Sequence, residues 1–107
     1  MLWSGLEGED RVRYVQLDVT SGQSIAKVAD QIGKNGVKID VLVNNAGLGK
    51  GSELKKPCPD YEFAKMCLNI NTLGAMNLTE GLLPHLSNTA KVVSIGSFYG
   101  GLRFHSK

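Results

Sequence analysis

Cysteine, partnered histidine, excess charge of one sign and long apolar runs are all scarce in this chain, and each shortage removes a class of answer. The two cysteines among 107 residues, Cys58 and Cys67, stand nine positions apart, with no Cys-x-x-Cys pair and no histidine at metal-ligand spacing. That argues against a disulfide framework or a zinc module and leaves reduced, structural thiols. His85 and His105 have no partners in sequence and read as surface residues, so no metal is expected. A net charge of +2 gives no footprint for nucleic acid, and Lys55-Lys56 is too short to be a basic patch. No apolar run is long enough to span a membrane. Met1 to Asp10 lacks the basic start and apolar core of a signal peptide, so the formal sequon Asn77-Leu78-Thr79 carries little weight. The expectation is a cytoplasmic protein that engages neither nucleic acid nor membrane, with one small domain and a modest core.

What is present alternates between strand and helix signals. Arg11 to Leu17 is rich in β-branched and aromatic residues and reads as a strand closed by Asp18-Val19-Thr20. Thr20 and Gln23 have the spacing of a capping box, which predicts a helix start there. Ile25, Val28, Ala29 and Ile32 then recur at helical spacing and make one apolar stripe. Asn35-Gly36 supplies the stop, with Lys34 favourably placed against the helix dipole. Ile39 to Asn44 follows as an apolar strand, and its continuous Val/Leu run suits a strand covered on both faces. Leu48 to Pro59 has no period and reads as a loop.

Asp60 caps a predicted long helix running towards His85. Ala64, Leu68, Asn71, Ala75, Leu78 and Leu82 form its sheet-facing stripe, and Met66, Ile70 and Leu73 a second apolar line. Gly74 and Gly81 cost helix propensity, which implies tight packing or a local bend. Lys91 to Gly96 is a third buried-type strand ending at Ser97. No internal repeat occurs.

This order is strand, helix, strand, helix, strand, with helix-length crossovers that imply a parallel α/β sheet. Right-handed crossovers place the strand ends Asp18, Asn44 and Ser97 along one edge of the sheet, where ligands bind in such folds. Asn44-Asn45-Ala46-Gly47 lies at that edge. Asparagine amides can fix neighbouring backbone there, and Ala46 and Gly47 let a flat ligand approach. The plainer reading of that tetrapeptide, a strand ending in a turn, stays open on these residues alone.

Four motifs in order carry a resemblance. Gln16-Leu17-Asp18-Val19-Thr20, Asp40 to Gly47, Asn71-Thr72-Leu73-Gly74 and Leu82-Leu83-Pro84, with Ser97 after the last strand, resemble the short-chain dehydrogenase/reductase family. The phrasing is closest to its carbonyl reductase branch, and the likeness covers the chain from about Arg11 onwards. It implies a partial doubly wound (Rossmann) sheet over residues 1–107, with NADPH as cofactor (NAD the alternative) and a small-molecule carbonyl substrate.

By the same resemblance, Asp18 would accept a hydrogen bond from the adenine amino group while the Val19 backbone N–H reaches the ring. Asn44 and Ala46 would hold the nicotinamide-side ribose, with Gly47 clearing space. Asn71 would interrupt local helix bonding and anchor a proton-relay water. Ser97 would hydrogen-bond the substrate carbonyl oxygen as charge develops there. Read without that context, Asp18 and Ser97 are turn formers and Asn71 a tolerated polar residue.

The departures matter as much. The family's Gly-rich phosphate loop does not occur, since Gly96, Gly100 and Gly101 follow the last strand without the required strand–loop–helix setting. The family's Tyr-x-x-x-Lys is expected well beyond Ser97, past Lys107. Tyr99 and Arg103 imitate its spacing, but arginine does not replace the lysine that lowers the tyrosine's pKa. In the doubly wound order 3-2-1-4-5-6, two strands are expected between the one ending at Asp18 and the one ending at Asn44. The reading is therefore an internal fragment, with residues 1–10 the remnant of a preceding helix and loop and residues 101–107 a truncated active-site segment. Such a chain is expected to be inactive alone and not a stable native-like domain. The competing reading is a catalytically dead interaction module or pseudogene product. Self-association through the 60–85 helix and a monomeric state are both open.

Overall fold

The computed structural model describes residues 5–6, 9–49 and 61–97. Two short strands come first, β1 (Gly5–Leu6) and β2 (Glu9–Arg13), paired antiparallel. Helix α1 (Gly22–Lys34) leads to β3 (Ile39–Asn44). A long helical rod then runs as α2 (Tyr61–Leu68), a π-helical segment (Asn69–Gly74), α3 (Ala75–Leu82) and a 3-10 turn (Leu83–His85). Strand β4 (Leu86–Ser94) closes the described chain and pairs parallel with β3, Leu42 opposite Val92 and Asn44 opposite Ser94. One further rung extends this ladder, from the Ile95 N–H to the Asn44 carbonyl at 3.0 Å. The β3–α–β4 unit is the expected crossover, since parallel neighbours need a connection of helix length.

Helix α1 shows how local sequence sets an element. Its apolar stripe turns inward, with Ile25, Val28 and Ile32 buried and Ala29 packed beside them. The cap, however, is Ser21 and not Thr20: the Ser21 hydroxyl accepts the Ser24 N–H at 3.1 Å. The capping box fails because the Thr20 hydroxyl is engaged with Asp18 instead. At the other end Gly36 adopts φ +66°. The Gly36 N–H bonds to the Gly33 carbonyl and the Val37 N–H to the Ile32 carbonyl, the paired bonds of a Schellman stop, for which glycine costs least.

The core lies between α1, α3 and one face of β3. It comprises Val19, Ile25, Val28, Ile32, Leu42, Leu78 and Leu82. Gly74 and Gly81 are tight-packing residues, as their positions in a helix suggested. A Cβ on Gly74 would lie 2.6 Å from Val19 Cγ2, and one on Gly81 would lie 2.5 Å from Ile25 Cγ2. Bare backbone at these two points lets α3 seat against α1 and against the turn before it. The π-helical turn ending at Gly74 supplies the local irregularity as well.

Several expectations are corrected. The strand expected at Arg11 to Leu17 covers Glu9–Arg13, and among the described residues it pairs with β1 alone, outside the β3–β4 sheet. Within residues 1–10, Gly5–Leu6 and the start of β2 are extended, not helical. The final strand begins at Leu86, earlier than Lys91. Strand β3 is not covered on both faces: Leu42 is buried while Val41 and Val43 are 55% and 50% exposed. The α2 half of the long stripe is also open, with Ala64 and Leu68 exposed. The two misses of exposure share one cause. Periodicity reports which residues could be covered, and covering depends on what packs there. Asp60 and most of the Leu48 to Pro59 loop lie outside the described residues.

This exposure has a measurable consequence. No side chain among the described residues is completely buried, and Val92, Val93 and Ile95 are exposed along with Val41 and Val43. Heated in isolation, the 107-residue polypeptide is expected to lose its helical circular dichroism gradually and to bind an apolar dye beforehand. A sharp two-state melt would contradict this.

Candidate functional site

A cavity of about 400 Å³ opens beyond the carboxyl ends of β3 and β4. Its walls are Asn44 at the end of β3 with Asn45–Leu48 from the loop after it, Asn71 and Ala75 from the helical rod, and Ser94 at the end of β4 with Ile95–Ser97 beyond it. Five sequence-predicted residues, Asn44, Ala46, Gly47, Asn71 and Ser97, are thus brought to one place. The apolar ladder delivers them, because parallel strands in register end together.

Asn71 lies on the π-helical segment. Its Oδ1 accepts the Leu48 N–H at 2.7 Å and its Nδ2 donates to the Leu48 carbonyl at 2.8 Å. This two-point clamp fixes the loop that carries Asn45 to Gly47. With Asn71 inside the π-helical segment, its amide is spent on Leu48 backbone outside the helix. Nothing local in the sequence named Leu48 as the partner.

Asn44 is tied to α3. Its Nδ2 donates to Thr79 Oγ1 at 3.0 Å, and the Thr79 hydroxyl donates to the Ala75 carbonyl at 2.8 Å. Asn44 Oδ1 is buried without a hydrogen-bond partner among the described residues, an unmet acceptor of the kind that costs roughly 1–3 kcal/mol. Sequence reasoning missed Thr79, since a helical threonine far along the chain gives no sign of which strand end it will meet. At Gly47 a Cβ would lie 3.5 Å from Asn71 Oδ1, an ordinary contact. The chain's own packing therefore does not demand glycine there.

Asp18 and Val19 stand apart from this cavity. Val19 is buried against Gly74. Asp18 is exposed, and its Oδ1 accepts the Thr20 hydroxyl at 2.6 Å and the Thr20 N–H at 2.9 Å. The Thr20 hydroxyl bond first, then the Thr20 amide, holds the Asp18 carboxyl below the usual carboxylate range. Neither Asp18 Oδ2 nor the Val19 N–H is bonded within the described residues.

One spacing went unremarked in the sequence. Tyr61 and Lys65 on α2 do form a Tyr-x-x-x-Lys, with Lys65 Nζ 5.2 Å from the Tyr61 ring centroid. Both are exposed and neither lines the cavity, so the pair is a surface cation–π contact. Tyr99 and Arg103 lie outside the described residues.

The parallel β3–β4 pair, its crossover helices and the cavity at the strand ends define an α/β protein of the doubly wound, Rossmann type. A model of the short chain dehydrogenase family matches residues 3–106. The chain belongs to the short-chain dehydrogenase family. It is 32% identical over 96 residues to a 3-ketodihydrosphingosine reductase of Bacteroides thetaiotaomicron, covering 88% of this chain and 35% of that protein. It is 34% identical over 88 residues to carbonyl reductase (NADPH) 1 of Sus scrofa, covering 82% of this chain and 30% of that one. Among solved structures, a short-chain dehydrogenase from Streptomyces avermitilis superposes with TM-score 0.69 at 34% identity, over 85% of this chain and 34% of that one. An NADPH-bound carbonyl reductase from chicken fatty liver shares the fold, with TM-score 0.70 at 24% identity over 86% and 40%. The chain spans about a third of the length of these relatives. No helix among the described residues is long and apolar enough to cross a membrane.

Proposed function

We propose that this segment contributes the cofactor-facing loop and the carbonyl-polarising serine of an NADPH-dependent reductase of aldehydes, ketones or quinones. One observation carries the reading: Asn44 to Gly47, Asn71 and Ser97 converge on a single cavity at the strand ends. The residues present fit a dinucleotide. Asn44 Oδ1 is an acceptor without a donor, Gly47 is bare without an internal packing reason, and Asp18 presents an unbonded carboxylate oxygen. Asp18 and Val19 would hold the adenine, and Asn44, Ala46 and Gly47 the nicotinamide-side ribose. When bound, NADPH would supply the hydride, and the proton that completes the alcohol would come from the family's tyrosine, which is not among the described residues. Ser97 donates its hydroxyl to the substrate carbonyl oxygen and stabilises the charge that grows on it. Asn71 positions the loop through Leu48 and so keeps the cavity wall from sagging into the site. NADPH as the cofactor draws its support from the pig relative's name. A cytoplasmic setting and a small-molecule substrate belong to the same proposal.

A second reading, a non-catalytic interaction module, is favoured by the exposed apolar residues Val41, Val43, Val92 and Val93. The test separates them. The native protein is purified and weighed by intact mass, and NADPH oxidation is followed with a panel of aldehydes, ketones and quinones. Substrate-dependent oxidation supports the reductase; nucleotide-independent partner binding with no turnover supports the module.

A further inference from the structure

The helical rod turns Gly74, Leu78 and Leu82 inward at four-residue spacing. Met76 stands two positions from both Gly74 and Leu78, so it faces away from the core. It belongs to an outward apolar line. Leu68, Leu73 and Met76 are 61%, 47% and 56% exposed, and Thr72 among them is exposed as well. On a continuous α-helix Leu68 and Met76, eight positions apart, would be about 80° out of phase. The segment between them, Asn69–Gly74, is π-helical, and a π turn takes up one residue more than an α turn. That extra residue brings Met76 back into line with Leu68.

The line so formed is complementary to itself. Thr72 is its midpoint, four positions from Leu68 and four from Met76. Lys65 comes seven positions before Thr72 and Glu80 eight after it. Both are exposed, on the same flank as Leu73, and neither makes an ion pair among the described residues. Glu62, the other acid of α2, directly follows Tyr61 and stands about 100° round from the line. Turned end over end about Thr72, the face meets a second copy with Leu68 opposite Met76 and Lys65 opposite Glu80, each pair occurring twice. One patch meeting itself is what a two-fold interface requires, and an unrelated partner would need no such symmetry. We propose that this face is a homodimer interface in which two rods cross antiparallel at Thr72. Leu68 packs on the partner's Met76, Leu73 on the partner's Leu73, and Lys65 pairs with the partner's Glu80. Packed helices cross at an angle, so Tyr61 and Leu83, at the ends of the line, lie where the rods have diverged and carry little of the contact.

Sedimentation velocity of the native protein over a range of concentrations makes the test. The wild type is expected to dimerise reversibly. Lys65→Glu and Glu80→Lys each set like charges face to face on both sides of the crossing, and each should raise the dimer dissociation constant about tenfold. An equimolar mixture of the two variants should regain wild-type association, because each supplies the charge that the other now needs. A wild type that stays monomeric at about 100 µM overturns the proposal. So does a dimer that neither reversal weakens, or a mixture that regains nothing. If either reversal unfolds the chain by circular dichroism, Leu68→Ala decides. A dimer weakened about tenfold in that folded variant supports the interface, and an unchanged one overturns it.

Discussion

Ser97→Ala is expected to lower carbonyl-reducing kcat by about 10²–10³-fold, with NADPH affinity unchanged. The serine lies at the carboxyl end of β4, on the wall shared with Asn44 to Leu48 and Asn71. A single pre-aimed donor is worth that much because it acts on charge present only in the transition state. The effect should therefore fall on kcat and leave NADPH binding, read by fluorescence, where it was. Carbonyl-dependent NADPH oxidation by the native protein supplies the measurement. A loss of less than about tenfold would remove Ser97 from the proposed role. An equal fall in cofactor affinity would mean that the substitution had disturbed the cavity as a whole.

Leu82→Ala is expected to destabilise the helix–sheet unit by about 2–5 kcal/mol. Leu82 is 3% exposed, the most buried of the core side chains. It sits next to Gly81, the point where α3 has given up a side chain so that Ile25 of α1 can approach. Backbone held this close leaves little freedom for collapse around a missing side chain, and cavities that cannot collapse are the costly ones. Against a domain stability of roughly 5–15 kcal/mol, such a loss is large. Leu83→Ala, one position on and 55% exposed, should change stability by no more than about 0.5 kcal/mol. Denaturant midpoints of the two variants in the native protein make the comparison. Equal effects would show that α3 does not seat against α1 as described.

Most of the candidate site was legible in the sequence because it sits at strand ends, and strand ends are written locally. Asn44-Asn45-Ala46-Gly47 follows a Val/Leu run that suits a strand, and Ser97 comes shortly after β4 ends at Ser94. The internal stripe of α1 and the stop at Asn35-Gly36 were equally readable, since helix period and a left-handed glycine are properties of a few neighbouring residues. The cap was not. Ser21 and Thr20 compete for one role, and the outcome depended on the Asp18 carboxylate taking the Thr20 hydroxyl.

The sequence by itself determined the family, the succession from α1 through β3 and the helical rod to β4, and the gathering of Asn44, Ala46, Gly47, Asn71 and Ser97. Asp18, expected on the same sheet edge, stands apart from them. Tertiary structure alone decided the partners and the covering. It joined Asn71 to Leu48 and Asn44 to Thr79, pairs brought together by the crossover and the strand–helix register. It also left Val41 and Val43 exposed, where their pattern matched a strand covered on both faces. Pattern marks a residue as fit to be buried. What lies opposite it in space settles whether it is.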